Sequence, residues 1–365
     1  MDVTVARPGE LTGADLSAWR AMQSADPALQ NPFLSPEFAR AAGRVRPSAR
    51  VGVLRDGGHR PVGYFPFERR PLGLGTPIAT GLCDCQGLIH APGTRWDAAE
   101  LLSGCGLRLW EFDHLTTGQT PFTGGEVRRA GSPVVDLSDG YEAYRDLLRA
   151  RSKGFLRGLR GKERRLERRA GELRFVFDER DPEPLEALMR WKSAQYRERS
   201  RVDQFARPWV ADLVRELHTT RAAGCTGLLS VLYAGGRPVA GHFGPCSRQV
   251  LCCWFPAYDA EFATCSPGML LHLRMAEEAA ARGIGHYDLG KGAERYKDDL
   301  KTGELPLLEG RVSSGTPSAA LRRFQADAAH GLRRAVAGNT VLRGMALRTM
   351  AGAGRPLAGL ARLRG

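Results

Sequence analysis

One run in the third quarter of the chain constrains the fold most, because its strand and turn signals follow in a clear order. Thr226–Ala234 is apolar and β-prone, Gly235-Gly236 predicts a two-residue hairpin turn, and Pro238–Phe243 predicts the returning strand. A third apolar run, Gln249–Phe255, is typical of a strand buried on both faces, and Pro256 predicts its end. The pattern therefore predicts a hairpin beside a third strand.

A capped helix and a short strand follow this hairpin. Ser266 is a good N-cap, Pro267 suits the first helical position, and Gly268 would allow a ligand to approach the backbone closely. Apolar residues fill the next turns, and Gly283 predicts the end of the helix. His286–Leu289 then predicts a further strand.

The start of this helix has two interpretations. The N–H groups of Gly268, Met269 and Leu270 are expected to be unpaired at the positive end of the helix dipole, where they could bind a pyrophosphate. A Ser-Pro-Gly sequence before an apolar run also begins many ordinary helices, so the neighbouring segments have to decide between the two.

Two motifs decide it by resemblance. They consist of Tyr258, Asp259, Ser266, Pro267 and Gly268, followed by Asp288, Leu289, Gly290, Glu294, Tyr296 and Lys297. On these residues the chain resembles the GNAT superfamily of N-acyltransferases, and more narrowly the CelD-like subgroup, whose members often belong to polysaccharide or cellulose biosynthesis loci. Three earlier segments, Asn31–Phe38, Phe65–Phe67 and Cys83–Gly87, resemble the amino-terminal half of that family.

The resemblance implies an α/β (α+β) protein with two tandem GNAT-like domains, each a mixed, mostly antiparallel sheet flanked by helices. The second domain would bind acyl-CoA, and the first would be degenerate. The length of 365 residues agrees with two typical domains. A turn-forming segment at 136–140 predicts domains at 1–139 and 140–310, followed by a basic helical tail at 311–365.

The segment Arg151–Ala170 is the most basic part of the chain and has three interpretations. Phe155, Leu159 and Leu166 fall on one helical face, which predicts a basic amphipathic helix with a solvated outer face. The helix could instead attract an anionic ligand such as the CoA phosphates. Nucleic acid is the third possibility, and the lack of interleaved aromatic residues argues against it.

The net charge of +13 belongs largely to the tail. From Arg311 onward the chain has ten arginines against one acidic residue, Asp327, which leaves a net charge of +4 for the rest. The tail is expected to dock on the protein or to contact an anionic membrane or a partner protein weakly. The bulk of the chain is therefore only mildly basic, which is a further argument against a nucleic-acid partner.

Cysteine usage and the amino terminus predict a cytoplasmic protein. Eight cysteines are scattered, several within apolar runs, and they form no recognisable disulfide framework. Cys83, Cys85 and His90 lack the second pair of a zinc site, so no metal is expected. The first residues have no apolar signal-peptide core, and no run is long enough to span a bilayer.

The donor and acid–base residues follow from the chemistry of thioester acyl transfer. The pantetheine arm is expected along the third strand, and the proposed cofactor-binding residues are Cys252, Trp254, Ser266, Pro267, Gly268, Met269, Leu270 and Lys297. By resemblance, Tyr296 would protonate the leaving thiolate, and its alternative is an aromatic packing role. His242 could deprotonate the amine or be a core histidine. Asp259 and Asp288 are further catalytic candidates, which could instead bond to their own loops.

Two classes of function remain open at the level of sequence. The first is an acyl-CoA-dependent N-acyltransferase, with an acetyl donor, acting on an amine of a small metabolite or amino sugar in envelope or polysaccharide metabolism. The second is a catalytically inactive scaffold of a polysaccharide synthesis system. A Fem-type transferase, which uses aminoacyl-tRNA, is a further alternative. The acceptor is expected between the halves, near Trp191, Tyr196 and Arg201.

Overall fold

A computed structural model describes residues 2–315 of the chain. Of the tail predicted at residues 311–365, residues 311–313 belong to a strand, and the part from residue 316 onward lies outside the described residues. The strands are β1 (Asp2–Ala6), β2 (Ala49–Arg55), β3 (Pro61–Arg70), β4 (Leu74–Pro77), β5 (Ile89–His90), β6 (Leu109–Thr116), β7 (Val127–Asp136), β8 (Leu173–Val176), β9 (Arg221–Ala222), β10 (Cys225–Ala234), β11 (Arg237–Cys246), β12 (Val250–Cys252), β13 (Phe255–Tyr258), β14 (His286–Asp288) and β15 (Gly303–Ser313). The helices are α1 (Gly13–Ala25), α2 (Pro36–Val45), α3 (Ala98–Gly104), α4 (Gly140–Arg151), α5 (Phe155–Ala170), α6 (Pro182–Glu198), α7 (Pro208–His218), α8 (Pro267–Ala281) and α9 (Arg295–Leu300).

All fifteen of these strands belong to one mixed sheet, which confirms the predicted fold class. The main path is β1-β2-β3-β4-β6-β15-β7-β14-β12-β11-β10-β8, with β5, β9 and β13 joined at the side. Most pairs are antiparallel, and the exceptions are β12 with β14 and β4 with β6. Strands from the two halves of the sequence are thus hydrogen-bonded into a continuous sheet.

Two strands in the middle of the sheet join the halves. β7 pairs with β14, and β15 pairs with both β6 and β7. With β15 the chain therefore returns to β6 and β7, two strands of its first half. Residues 1–314 form a compact unit, and the boundary placed near residue 139 stays a prediction.

The hairpin and the capped helix form as the sequence predicts. β10 and β11 pair antiparallel around Gly235-Gly236, and both glycines have the positive φ that a tight hairpin turn requires. α8 begins at Pro267 and ends before Gly283, which has φ +73°. The basic segment also forms a helix, α5, with Leu159 and Leu166 buried on its inner face.

The prediction of one continuous strand over Gln249–Phe255 is wrong. The run divides into β12 and β13, and Pro256 lies inside β13 instead of ending a strand. β12 pairs with β14 on one side, whereas β13 pairs with β11. The intervening Cys253-Trp254 step forms a bulge that redirects the chain from one strand to the other.

A shared aromatic core holds the two halves together. Trp254 packs edge-on against Phe33 and Phe38, with ring centroids 5.5 and 6.2 Å apart, and its indole N–H donates to the carbonyl of Leu82 at 2.9 Å. Large aromatic side chains contribute several kcal/mol each when buried in this way. The segment that contains Phe33 and Phe38 is therefore packed against the bulge at Cys253-Trp254.

Candidate active site

Two neighbouring strands separate at the centre of the sheet. β12 and β14 run parallel as far as the Cys252–Asp288 pair, and the N–H of Cys253 donates to Asp288 O at 2.7 Å. Beyond this point β13 turns to β11, while the N–H of Leu289 donates to Pro133 O on the other side. We call the opening between β13 and residues 289–290 the fork. In the described part of the chain no strand pairs with the edge of β13 that faces it.

His242 explains the bulge that opens the fork. The side chain is fully buried on β11, with Nε2 at 3.1 Å from Cys252 O and 3.2 Å from the backbone N of Trp254, so either tautomer makes one backbone hydrogen bond. Cys252 O also lies where a side chain at Gly244 would begin, 2.1 Å from an added Cβ. The imidazole therefore replaces part of the β-ladder across the bulge.

The environment of His242 keeps it neutral. Burial, together with the neighbouring His272, lowers the pKa of His242 to about 3. Such a ring is unprotonated at pH 7 and is a weak base. The sequence offered a base or a core histidine, and the geometry matches the second, with the base role remaining a prediction.

Cys252 and Trp254 point away from the fork. Their side chains lie in the core shared with the amino-terminal half, and Cys252 Sγ is 3.9 Å from Asn31 Oδ1. Cys253, between them, points to the opposite side, where its Sγ lies 3.8 Å from the hydroxyl of Tyr296. Only their backbone borders the fork, so any contact of Cys252 or Trp254 with a cofactor would be made by main-chain groups.

Tyr296 stands beside Cys253 on α9. Its ring stacks on His272 with centroids 5.0 Å apart and an interplanar angle of 11°. His272 Nδ1 is 2.7 Å from the buried Tyr287 hydroxyl, and burial lowers the pKa of His272 to about 3. Burial and the Cys253 thiol raise the pKa of Tyr296 well above its usual value, so its hydroxyl remains protonated and able to donate.

The helix start at Ser266 differs in detail from the prediction. Ser266 occupies the N-cap position with left-handed dihedrals (φ 50°, ψ 50°), and its side chain makes no cap hydrogen bond. The N–H groups of Met269 and Leu270 are not unpaired as predicted, because they donate to Ser266 O at 3.0 and 3.3 Å. Gly268 is packed closely, since an added Cβ would lie 3.2 Å from Cδ1 of Tyr258.

A lysine of the basic helix α5 reaches this helix start. Lys162 Nζ donates to Ser266 Oγ at 2.8 Å, and the first turn of α8 contains no acidic residue. A cation at the positive end of a helix is unfavourable unless an anion joins them. Lys162 and the first turn of α8 together can therefore attract a phosphate group.

Two other predicted site residues make structural contacts. Asp259 caps the turn before α8 through the N–H of Glu261 and pairs with Arg237. Asp288 accepts hydrogen bonds from Ser132 Oγ at 2.6 Å and from the N–H of Gly290 at 2.9 Å. Both carboxylates thus make the loop contacts named as their alternative roles.

Lys297 is buried and turned inward. It is 6% exposed and donates to the carbonyls of Gly290 and Lys291 at 2.9 and 3.1 Å. It also forms an ion pair with Glu294 at 3.0 Å, and Glu294 in turn pairs with Arg201. Lys297 therefore fixes the loop at the mouth of the fork, and its predicted binding of the cofactor stays a prediction.

The amino-terminal half contributes a carboxylate cluster to the same mouth. Asp84 lies in the loop before β5, and its Oδ1 is 3.7 Å from Nε2 of His114 on β6. His114 Nδ1 is 3.1 Å from Asp113 Oδ1, without hydrogen-bond geometry. These two carboxylates raise the pKa of His114 against the opposing effect of burial.

Comparison with known proteins assigns the part of the chain that contains the fork. Residues 153–298 match the family model of the GNAT acetyltransferase domain. We call this matched segment, residues 153–298, the GNAT domain; it runs from the basic segment through α9 and so includes the fork, the α8 start and Tyr296. No curated protein matches the chain in sequence.

Two solved structures share the fold over nearly the whole described chain. One is the C-terminal domain of a protein assigned as a lysylphosphatidylglycerol synthetase from Agrobacterium fabrum, at 13% identity and a TM-score of 0.53, covering 86% of this chain and 95% of that one. The other is FemX, at 11% identity and a TM-score of 0.54, covering 85% and 96%. At these identities the likeness shows the fold alone, and the CelD-like subgroup stays a prediction.

Sequence reasoning missed several residues at the fork. It named Cys252 and Trp254, although Cys253 faces the opening, because a continuous strand conceals the bulge. It passed over Lys192, which α6 places 2.9 Å from Pro256 O and whose pKa burial lowers to about 8. It assigned Asp84 only to a family motif in a loop. The sequence around residue 84 contains no signal that this loop contacts the GNAT domain.

Three further observations concern possible metal ligands, cysteines and membrane-spanning helices in the described residues. Among residues 2–315, no group of three or more His, Cys, Asp or Glu side chains is arranged to hold a metal ion. All eight cysteines are buried and unpaired by disulfides. In the same range, the helices are too short or too polar to cross a membrane.

Proposed function

We propose that the protein is an acyl-CoA-dependent N-acyltransferase that transfers an acetyl group to an amine of a small metabolite or amino sugar. The observation that carries the proposal is the fork of the GNAT domain, with the Tyr296 hydroxyl at its mouth. A role in envelope or polysaccharide metabolism belongs to the same proposal and rests on the motif resemblance, whereas the proposed cytoplasmic location rests on cysteine usage and the amino terminus.

The fork has the shape and chemistry that an extended pantetheine arm requires. The arm carries two amides, which need backbone-like hydrogen-bond partners when they are bound away from water. Strand edges that have separated supply such partners without rearrangement. The arm would enter between β13 and residues 289–290, with the thioester near Cys253.

The phosphates of the donor would lie at the start of α8. The helix dipole and Lys162 both favour an anion there. Other arginines of α5 remain exposed along the approach, where they would raise the local concentration of an anionic donor. This assignment adopts the second interpretation of the basic segment.

Tyr296 would act as the acid of the reaction. Acyl transfer to an amine expels a thiolate, and a hydroxyl near the sulfur can protonate it as the C–S bond breaks. The raised pKa of Tyr296 keeps the proton in place until then. His242, in this account, positions the bulge and takes no part in proton transfer.

Ligand-induced stabilisation tests the donor assignment. Acetyl-CoA at one hundred times its dissociation constant should stabilise the protein by about 2.7 kcal/mol, measured by thermal unfolding. Lys162→Glu, on the exposed face of α5, should weaken this effect, whereas Arg95→Glu, an exposed residue in the loop before α3, should not. The absence of stabilisation by acetyl-CoA, longer acyl-CoA and free CoA alike would overturn the proposal.

A glycine pair supplies a matched control for the loop. Gly268→Leu should remove the acetyl-CoA effect, because an added side chain meets Tyr258 and fills the loop. Gly158→Leu, on α5, should keep it, since a Cβ there meets no atom within 4 Å. Equal stabilisation of both variants would place the phosphates elsewhere.

A further inference from the structure

We propose that Asp84, supplied by the amino-terminal half, binds the ammonium group of the acceptor at the mouth of the fork and removes its proton. This inference rests on the proposed N-acyltransferase function. It makes the site a joint product of both halves, with the donor held by the GNAT domain and the acceptor amine received by the other half.

The carboxylate of Asp84 stands where the fork opens. A Cβ built on Gly290 would lie 3.8 Å from Asp84 Oδ2 and 3.5 Å from Cys253 O. Gly290 lies two residues after Asp288, the last residue of β14 that pairs with β12. Asp84 is therefore beside the point at which the thioester carbon of a bound donor would lie.

The loop around Asp84 is held firmly from several directions. Its neighbours Cys83 and Cys85 are 4% and 5% exposed, and the side-chain amide of Gln86 donates to Cys83 O at 2.9 Å and to Asp113 Oδ1 at 2.6 Å. The indole of Trp254, from the bulge itself, donates to the carbonyl of Leu82. A carboxylate on such a loop has a fixed position, which acid–base catalysis requires.

Asp84 differs from the carboxylates around it because no group within residues 2–315 donates a hydrogen bond to it. Asp288 accepts two hydrogen bonds and Asp113 accepts one from Gln86. The side chain of Asp84 is 28% exposed, and among the described residues its one ionic contact is with His114, at 3.7 Å. A partly exposed carboxylate without a donor is open to an incoming cation.

The cations in the same region are already occupied. Lys192 donates to Pro256 O, Lys297 to Gly290 O and Lys291 O, and Arg201 pairs with Glu294. None of these bonds involves Asp84. The carboxylate of Asp84 is therefore available to bind the primary ammonium group of an acceptor, such as an alkylamine or an amino sugar.

The electrostatic surroundings suit a base. Partial burial raises the pKa of Asp84 to about 6, where the carboxylates of Asp288 and Asp113 add to the effect and His114 and Lys297 oppose it. Its other ionisable neighbours are Cys83, Cys85, Cys252 and Tyr196. A base whose pKa is close to the working pH is ionised at neutrality and still able to hold a proton.

The proton balance of the reaction is complete. The carboxylate of Asp84 takes one proton from the acceptor ammonium, and the neutral amine attacks the thioester carbonyl to form the new C–N bond. The C–S bond then breaks, and the thiolate receives a proton from the Tyr296 hydroxyl, which is restored by the second proton of the nitrogen. Asp84 releases its proton to water, so the products are the amide, free CoA thiol and one proton.

Asp84→Asn tests the proposal with propylamine and glucosamine as probe acceptors. CoA thiol release from acetyl-CoA is followed across the pH range. In the wild-type protein, amine-dependent kcat/KM should rise through an acidic limb near pH 6. In Asp84→Asn, kcat should fall at least 100-fold and the limb should vanish, while acetyl-CoA still stabilises the protein. Asp298→Asn, an exposed carboxylate on α9, is the matched control and should behave as the wild type.

Two further variants separate catalysis from structure. Asp84→Glu should recover part of the activity, because it restores a carboxylate in nearly the same place. His114→Gln, at a positioning residue, should move the acidic limb to higher pH, since a positive neighbour that favours the ionised carboxylate is removed. A purely structural role would lower the rate without moving the limb.

The outcomes distinguish this inference from the proposed function. An unchanged limb and rate in Asp84→Asn, or no amine-dependent release by a protein that acetyl-CoA stabilises, would overturn the role of Asp84 and leave the donor site standing. If acetyl-CoA fails to stabilise the wild-type protein, the proposed function itself fails.

Discussion

Two buried histidines on opposite sides of the fork show how differently the two halves use the same side chain. His242 in the GNAT domain is fully buried among backbone and apolar groups, and its pKa falls to about 3. His114 in the amino-terminal half is 8% exposed, yet its pKa is raised. The difference is that Asp84 and Asp113 face His114, whereas no carboxylate faces the ring of His242 within ion-pair distance in the described residues.

Burial alone lowers the pKa of a histidine, which then stays neutral and has a structural role. Burial beside carboxylates raises the pKa, so the histidine can carry a positive charge. On this account the GNAT domain contributes shape to the site, through a neutral ring that holds a strand bulge. The amino-terminal half contributes charge. The predictions that follow test this division of roles.

The largest expected effect is on stability. His242→Ala should lower the free energy of unfolding by about 3 kcal/mol, because it leaves a cavity and an unpaired backbone group at the bulge. His114→Gln should cost less than about 1 kcal/mol, because it retains a polar side chain of similar size. Urea denaturation measures both, and equal losses would contradict the division.

Tyr296→Phe should lower the turnover number by about 100-fold, as expected when a general acid is removed. The acidic limb of the pH–rate profile should stay in place, because Asp84 is untouched. Steady-state kinetics with acetyl-CoA across the pH range gives both readouts. A shifted limb would mean that the two sides of the fork are not independent.

Acid stability should depend on His242. Its folded pKa of about 3 lies below the unfolded value near 6.5, so between these pH values the unfolded chain binds more protons and stability falls as the pH falls. The contribution is at most about 1.4 kcal/mol per pH unit. Unfolding midpoints at pH 7 and pH 5 should therefore differ less in His242→Gln than in the wild type.

His114 should act in the opposite direction. Its folded pKa is raised, so its contribution to stability is fully present below the unfolded pKa and is lost as the pH rises through the folded pKa. Removing it with His114→Gln should leave a steeper loss of stability on acidification than in the wild type. If the free energy of unfolding changed with pH in the same way in His242→Gln and His114→Gln, the proposed opposite roles of the two histidines would be contradicted.

The smallest expected effect concerns the phosphates. Lys162→Ala should weaken acetyl-CoA binding by about 0.3–1 kcal/mol, the usual range for an exposed charge at a helix end. Titration calorimetry at low and high salt should show that the difference shrinks as salt is added. A salt-independent difference would mean that Lys162 acts through packing.

Much of the GNAT domain could be predicted because its signals are local. The Gly235-Gly236 turn, the Pro267 helix start and the apolar face of α5 each follow from residues close together in sequence. The bulge at Cys253-Trp254 could not be predicted, because it depends on His242, a residue from the preceding strand. The apolar run by itself is equally compatible with a straight strand.

The acceptor side could not be predicted for a related reason. Asp84 and Gly290 are brought together by strands β7 and β15, which join the halves in the middle of the sheet. Neither strand was predicted from the sequence. The boundary segment predicted at 136–140 begins at the last residue of β7, and the tail predicted from residue 311 begins inside β15. Contacts across such long separations leave no periodic signal.

A crystal structure with coenzyme A bound would test the central claim most directly. The account predicts the pantetheine arm between β13 and residues 289–290, with its sulfur within reach of the Tyr296 hydroxyl and of Asp84, and its phosphates at Ser266 and Lys162. Coenzyme A bound elsewhere, or an empty fork at saturating coenzyme A, would contradict it.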